Sequence, residues 1–152
     1  MIQRKQSVFL LLAAIAALIC LMLPVGVYHP DKLGVDAVMY NLWIIDGNGA
    51  ADFCVAPLFG ILFIDTLISL ATIFLYKNRK LQIKLCSWNI LLVILWYIVY
   101  VVFAYTDIAV ADSAFGLKFA AVLPLVALIL VVMARNGVKS DEALIRAADR
   151  IR

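Results

Sequence analysis

The chain has 152 residues, 66% of them hydrophobic and 15% charged, with a formal net charge of +3, and its mean hydropathy is +1.07. Soluble domains carry roughly 45–50% apolar and about 25% charged residues, so a water-soluble globule is excluded and residence in lipid is indicated. No P-loop, GxSxG, HExxH or CxxC pattern occurs in the sequence, which removes the enzyme classes that such motifs announce.

The first apolar run, residues 7–28, follows the basic start MIQRK. It is too long for the apolar region of a cleavable signal, about 7–15 residues, and no small-x-small cleavage site follows in PVGVYHPD. Ile19 before Cys20 is too bulky for lipoprotein processing, so the segment is expected to stay as an anchor. Three further runs, 54–76, 85–105 and 117–134, match the roughly 17–25 residues of a spanning helix. The chain is therefore expected to form one all-α membrane domain over residues 1–152, a four-transmembrane-helix bundle.

The loop after the first span, residues 29–53, is too apolar for a plain linker. Val38, Tyr40, Leu42 and Ile44 alternate with Met39, Asn41, Trp43 and Ile45, and DGNG supplies turn residues. A short extended segment or β-hairpin lying on the bundle is one reading, and an interfacial helix from Asp36 is its rival. His29 beside Pro30 and Asp31 reads as a helix-end or loop residue, with no second histidine to build a zinc site.

The second span carries Asp65 near its midpoint, with Ser69 and Thr72 at i+4 and i+7 on one face. A carboxylate at that depth costs about 3 kcal/mol on insertion scales, so it is expected to face protein and to be protonated or hydrogen-bonded. The third span runs back and offers Asn89, Trp96 and Tyr100, with Asp65 expected at the depth of Trp96 and Thr72 at that of Asn89. Polar glue between helices is the simplest role for this set, and a proton or ion relay through Asp65 is the sharper one.

Between these spans lies YKNRKLQIK, four basic residues in nine. Asn78 is placed to cap a helix that starts at Arg79 and runs into the third span. The fourth span is preceded by an acidic loop, 106–116, and followed by Asn136 and Gly137, a C-cap signal, and by Ser140, an N-cap signal. A separate amphipathic tail helix is thus expected over 140–152, with Leu144, Ile145, Ala148 and Ile151 on one face and Glu142 and Arg146 spaced for a pair. It is expected to lie in the headgroup layer or fold back beneath the bundle, with recognition of a cytosolic partner as the rival. Cys20, Cys54 and Cys86 fall on three helices at different depths and read as apolar fillers, while Tyr28, Trp43, Tyr76, Trp88 and Tyr105 fall near the expected interfaces.

Orientation follows from the basic residues. Eleven of the thirteen lysines and arginines lie at the N-terminus, in the 77–84 link or in the tail, leaving only Lys32 and Lys118 for the other side. Basic flanks are retained in the cytoplasm, so both termini are expected inside and the acidic loops outside.

The start MIQR, the link YKNRKLQIKLCSWNILL and the ending DEALIRAADRIR together resemble a family of small membrane proteins of the Bacteroidota, the domain of unknown function 4293. The resemblance implies a four-span bacterial inner-membrane protein with cytoplasmic termini, and it carries over no catalytic residues. Its motifs all fall on the cytoplasmic side of the expected topology, where Gln3, Arg4, Lys77, Asn78, Arg79, Lys80, Lys84, Asp141, Glu142, Arg146, Asp149 and Arg150 form a candidate interaction face. The expected partners are membrane lipids, anionic lipid at that face, and an unidentified protein, with no nucleic acid, cofactor or metal. A non-enzymatic interaction or assembly subunit is the leading expectation; a small transporter or proton-coupled subunit relying on Asp65 is the alternative.

Overall fold

The computed structural model describes residues 3–30, 34–75, 78–106 and 113–149. Four helices form the body: α1 (Gln3–Met22), α2 (Ala56–Phe74), α3 (Arg79–Tyr105) and α4 (Leu123–Asp149). Each contains a stretch long and apolar enough to cross a membrane. Each packs on two neighbours, α1 on α2 and α4, and α3 on α2 and α4; only the α2–α3 connection is short, and the other two carry the strands described below.

Pro24 decides where α1 stops. Its ring disfavours helical backbone at Leu23 and it has no N–H to donate. The last helical bond runs from Leu23 N to Ile19 O at 3.1 Å, and the chain then extends into β1 (Gly26–Pro30). The helix therefore ends six residues before the 28 expected from hydropathy, and Tyr28 and His29 are strand residues. The apolar run continued past Pro24 because β1 is itself buried at Gly26, Val27 and Tyr28.

Four more strands complete an antiparallel sheet: β2 (Ala37–Met39), β3 (Ile44–Ile45), β4 (Ala51–Asp52) and β5 (Ser113–Leu117), in the spatial order β4-β3-β2-β1-β5. Strand rather than helix is the realised conformation of 38–45, but the alternating run is not one strand. It folds back on itself: Val38 faces Ile45 and Met39 faces Ile44, and Tyr40 N donates to Trp43 O across the turn. At the next turn Gly49 adopts φ +79°, a conformation that costs glycine little, and its N–H donates to Asp46 O. The 106–116 segment is not wholly a loop, since Ser113–Leu117 pairs with β1 from Gly26↔Leu117 to Pro30↔Ser113. Leu117 accordingly belongs to a strand, and a 3-10 turn (Phe119–Val122) leads into α4.

The sheet closes one end of the bundle. A core of Tyr28, Met39, Ile44, Leu58, Leu62, Trp96 and Ala121 joins it to the helices. Toward the other end, α1 and α4 meet through small residues, Ala13 and Ala16 against Ala127 and Ala134, with Leu10, Cys86 and Val131. Small side chains let helix backbones approach closely where lipid offers no hydrophobic drive between helices. Outward-facing Leu11, Ile15, Phe63, Leu67, Ile98 and Ile129 are exposed, as lipid-facing positions should be.

The sheet means that the domain is not all-α, and the expected break before the tail helix is also absent. The helix does not end at Asn136 and Gly137, and Ser140 does not start another; α4 is continuous to Asp149. A Cβ on Gly137 would lie 3.1 Å from Gln6 Cγ, so this glycine admits the α1 side chain rather than turning the chain. Residues 150–152 of the expected tail helix lie outside the described residues.

Candidate functional site: the polar interior of the bundle

Because residue 24 is proline, the Cys20 carbonyl has lost its helical donor. Asn41, in the β2–β3 turn and fully buried, replaces it: its Nδ2 donates to Cys20 O at 2.7 Å. Asn41 Oδ1 accepts from Trp96 Nε1 at 3.0 Å, and its backbone carbonyl accepts from Phe59 N at 3.0 Å. One turn residue thus ties together α1, α2 and α3. Tyr100, stacked on Trp96 with ring centroids 5.0 Å apart, donates to Val25 O at 2.7 Å. Tyr28 donates to Phe103 O at 2.9 Å, so it is a buried strut and not an interface aromatic; burial pushes its phenol up to about 12.

Deeper in the bundle, α2 and α3 meet through Asn89 Nδ2, which donates to Ser69 Oγ at 2.7 Å. That contact fixes the register: Ser69, and not Thr72, opposes Asn89, a shift of three residues or about 4.5 Å from the sequence expectation. Trp96 and Tyr100 accordingly reach the sheet rather than Asp65. Thr66 and Thr72 return their hydroxyls to Leu62 O and Ile68 O on their own helix. Asp65 is 2% exposed, and among the described residues neither its Oδ1 nor Asn89 Oδ1 has a hydrogen-bond partner. Two buried acceptor oxygens lacking donors, one helical turn apart along the α2–α3 seam, form the least satisfied spot in the interior.

Where the bundle lacks the sheet, the start of α1 and the end of α4 come together. Gln6, 5% exposed and not singled out by the sequence, donates through Nε2 to Asp141 Oδ2 at 2.7 Å. Arg79 Nη1 makes a long 3.5 Å contact with the Asp141 carbonyl. Asn78 occupies the N-cap of α3 but its side chain makes no capping bond. Lys80 is exposed, as are Leu144 and Ile145 beyond the last buried residue of α4, Val138. Glu142 lies beside Lys139 and Ile83 around a shallow groove. Lys77 and Arg150 lie outside the described residues, and the side chains of Gln3, Arg4, Arg146 and Asp149 are likewise undescribed.

The three cysteines are free thiols. Cys54 is in the turn before α2 and not on a helix, and its N–H is held by Asp52 Oδ1 at 3.0 Å. Its thiol is raised above the usual range by burial first and by Asp52 second. His29 Nδ1 lies 2.9 Å from Asp36 Oδ1 at the exposed side of the sheet. Among the described residues no group of three histidine, cysteine or acidic side chains could hold a metal ion.

A family model described as "Domain of unknown function (DUF4293)" matches residues 2–151. No curated protein matches the chain.

Proposed function

The chain belongs to the DUF4293 family, and from that premise we propose that it is a multi-pass protein of the bacterial inner membrane whose termini are cytoplasmic and whose role is non-enzymatic: an interaction or assembly subunit that engages a protein partner through the end of the bundle where α1 begins and α4 ends. The basic residues Arg79, Lys80, Lys84, Arg135 and Lys139 favour the cytoplasmic assignment of that end. The observation that carries the reading is α4 itself, which continues as helix past Val138 to Asp149 with Leu144 and Ile145 exposed, 63% and 45%. Gln6 on Asp141 sets its direction. An apolar pair on the last turns of a helix, among charged, polar and alanine residues, suits a groove on a partner. Cross-linking in native membranes before solubilisation tests this: one specific cross-linked species is expected with the wild type and its loss with Leu144→Asp plus Ile145→Asp. Retention of the species in a folded double variant contradicts the proposal.

A second reading, a proton-coupled subunit, is favoured by the unpartnered oxygens of Asp65 and Asn89. A proton on Asp65 would give that seam a donor, and intramembrane carboxylates serve relays in pumps and transporters. Asp65→Asn separates the two readings, since it removes the titrating group while leaving the α4 end untouched.

A further inference from the structure

Between α3 and α4, on the sheet side of the bundle, a groove of about 370 Å³ opens outward. Tyr97, Tyr100, Leu117, Val122 and Leu125 line it, and Lys118 stands at its edge. The two tyrosines present no free hydroxyl to it: Tyr97 donates to Ala121 O at 2.8 Å and Tyr100 to Val25 O at 2.7 Å. Their rings therefore offer hydrocarbon surface, and the groove is apolar up to the lysine.

Lys118 is the singular feature. The described residues of the sheet end carry Asp36, Asp46 and Asp52, and Lys118 is their only lysine or arginine. Its backbone is committed, with N donating to Val25 O at 3.2 Å and O accepting from Ala121 N at 3.1 Å, which fixes where the side chain leaves the fold. The side chain is exposed. Flanking it, Leu117 and Phe119 are 71% and 79% exposed, an apolar rim of the kind found at the membrane interface. A lysine at that level directs its ammonium to the headgroups and lays its stem along apolar surface.

We propose that this groove is a binding site for an anionic phospholipid, with the phosphate on Lys118 and the upper part of one acyl chain along Tyr97, Tyr100 and Leu125. Charge complementarity selects the headgroup, and the carbon lining selects the chain. Its volume falls at the lower end of the roughly 300–1,000 Å³ of small-molecule sites. The proposal rests on the four helices lying in a bilayer and is independent of the partner assigned to the α4 end.

The test is lipid retention by the purified full chain, read by native mass spectrometry after titration with phosphatidylglycerol, phosphatidylcholine or oleate. The wild type is expected to prefer phosphatidylglycerol over phosphatidylcholine by about fivefold or more, since each basic residue near a charged surface contributes about that factor. Lys118→Gln should lower the preference by about fivefold and Lys118→Arg should keep it. Leu125→Trp, a bulkier side chain at a lipid-facing position, should lower retention of both phospholipids. Equal retention of the two phospholipids by the wild type, an undiminished preference in Lys118→Gln, or oleate held as well as phosphatidylglycerol would each overturn the assignment. Reporters of sidedness test bilayer residence separately.

Discussion

Replacing Asn41 by leucine should loosen the sheet from the helices, because no other group among the described residues bonds both Cys20 O and Trp96 Nε1. The carbonyl cannot recover its helical donor, since Pro24 has none, and the indole N–H is left in an apolar core. Each orphaned group costs about 1–3 kcal/mol, while hydrogen bonds in membrane proteins average nearer 0.6 kcal/mol, so a loss of about 2–4 kcal/mol is expected for the pair. For a chain of this size that corresponds to roughly 5–15 °C in midpoint temperature. Thermal unfolding in a mild detergent measures it, and fluorescence in a background lacking Trp43 and Trp88 reports on Trp96 directly. Trp96→Phe removes one of the two bonds, and the double variant should show a coupling of about 0.5–3 kcal/mol. An Asn41→Leu protein within about 0.5 kcal/mol of wild type, the scatter of unremarkable surface substitutions, would refute the hub.

Asp65→Asn should leave the midpoint within about 1 kcal/mol of wild type, and Asp65→Leu should be neutral or stabilising, because it removes an acceptor that lacks a donor; unfolding in detergent measures both, and a loss above 3 kcal/mol in the leucine variant would reveal a bond to Asp65 that this account omits. Gly137→Val should cost about 1–3 kcal/mol by overpacking and should displace Gln6 from Asp141, so its effect should shrink in a Gln6→Ala background; additive losses would show that the close approach is not the cause. Tyr28→Phe should cost about 0.5–1.5 kcal/mol through its bond to Phe103 O, measured in the same unfolding assay, with no loss counting against the strut.

The helices were legible because each is an apolar run of spanning length, and hydropathy needs no knowledge of neighbours. Extended conformation in 38–45 and the DGNG turn were legible for a related reason, since both signals are local, whereas the turn at 40–43 inside the alternating run was not. What escaped was long-range. Gly26–Pro30 pairs with Ser113–Leu117, and a five-residue strand whose partner lies some ninety residues on has no periodicity to set it apart from the end of a helix. Pro24 was the available signal, both as a helix stop and as the source of a carbonyl that needs a new donor. Asn41 answers that need, but a turn residue cannot be matched to Cys20 without the fold. Asn136 and Gly137 show the converse error: the local signal for a C-cap is sound, and close contact with Gln6 overrides it. Of the buried polar residues, Asp65, Ser69 and Asn89 could be placed on facing helices from spacing alone, whereas their register required the Asn89–Ser69 bond.

The proposed topology puts the sheet outside the membrane and the paired helix ends inside. Single cysteines placed at Asn48, in the β3–β4 turn, and at Lys139, on the exposed face of α4, test it in spheroplasts with a membrane-impermeant maleimide, after Cys54→Ser removes the one native thiol that is not buried. Labelling is expected at position 48 before permeabilisation and at position 139 only after it. Labelling at position 139 with protection at position 48 would contradict it, and with it the assignment of the α4 end to a cytoplasmic partner.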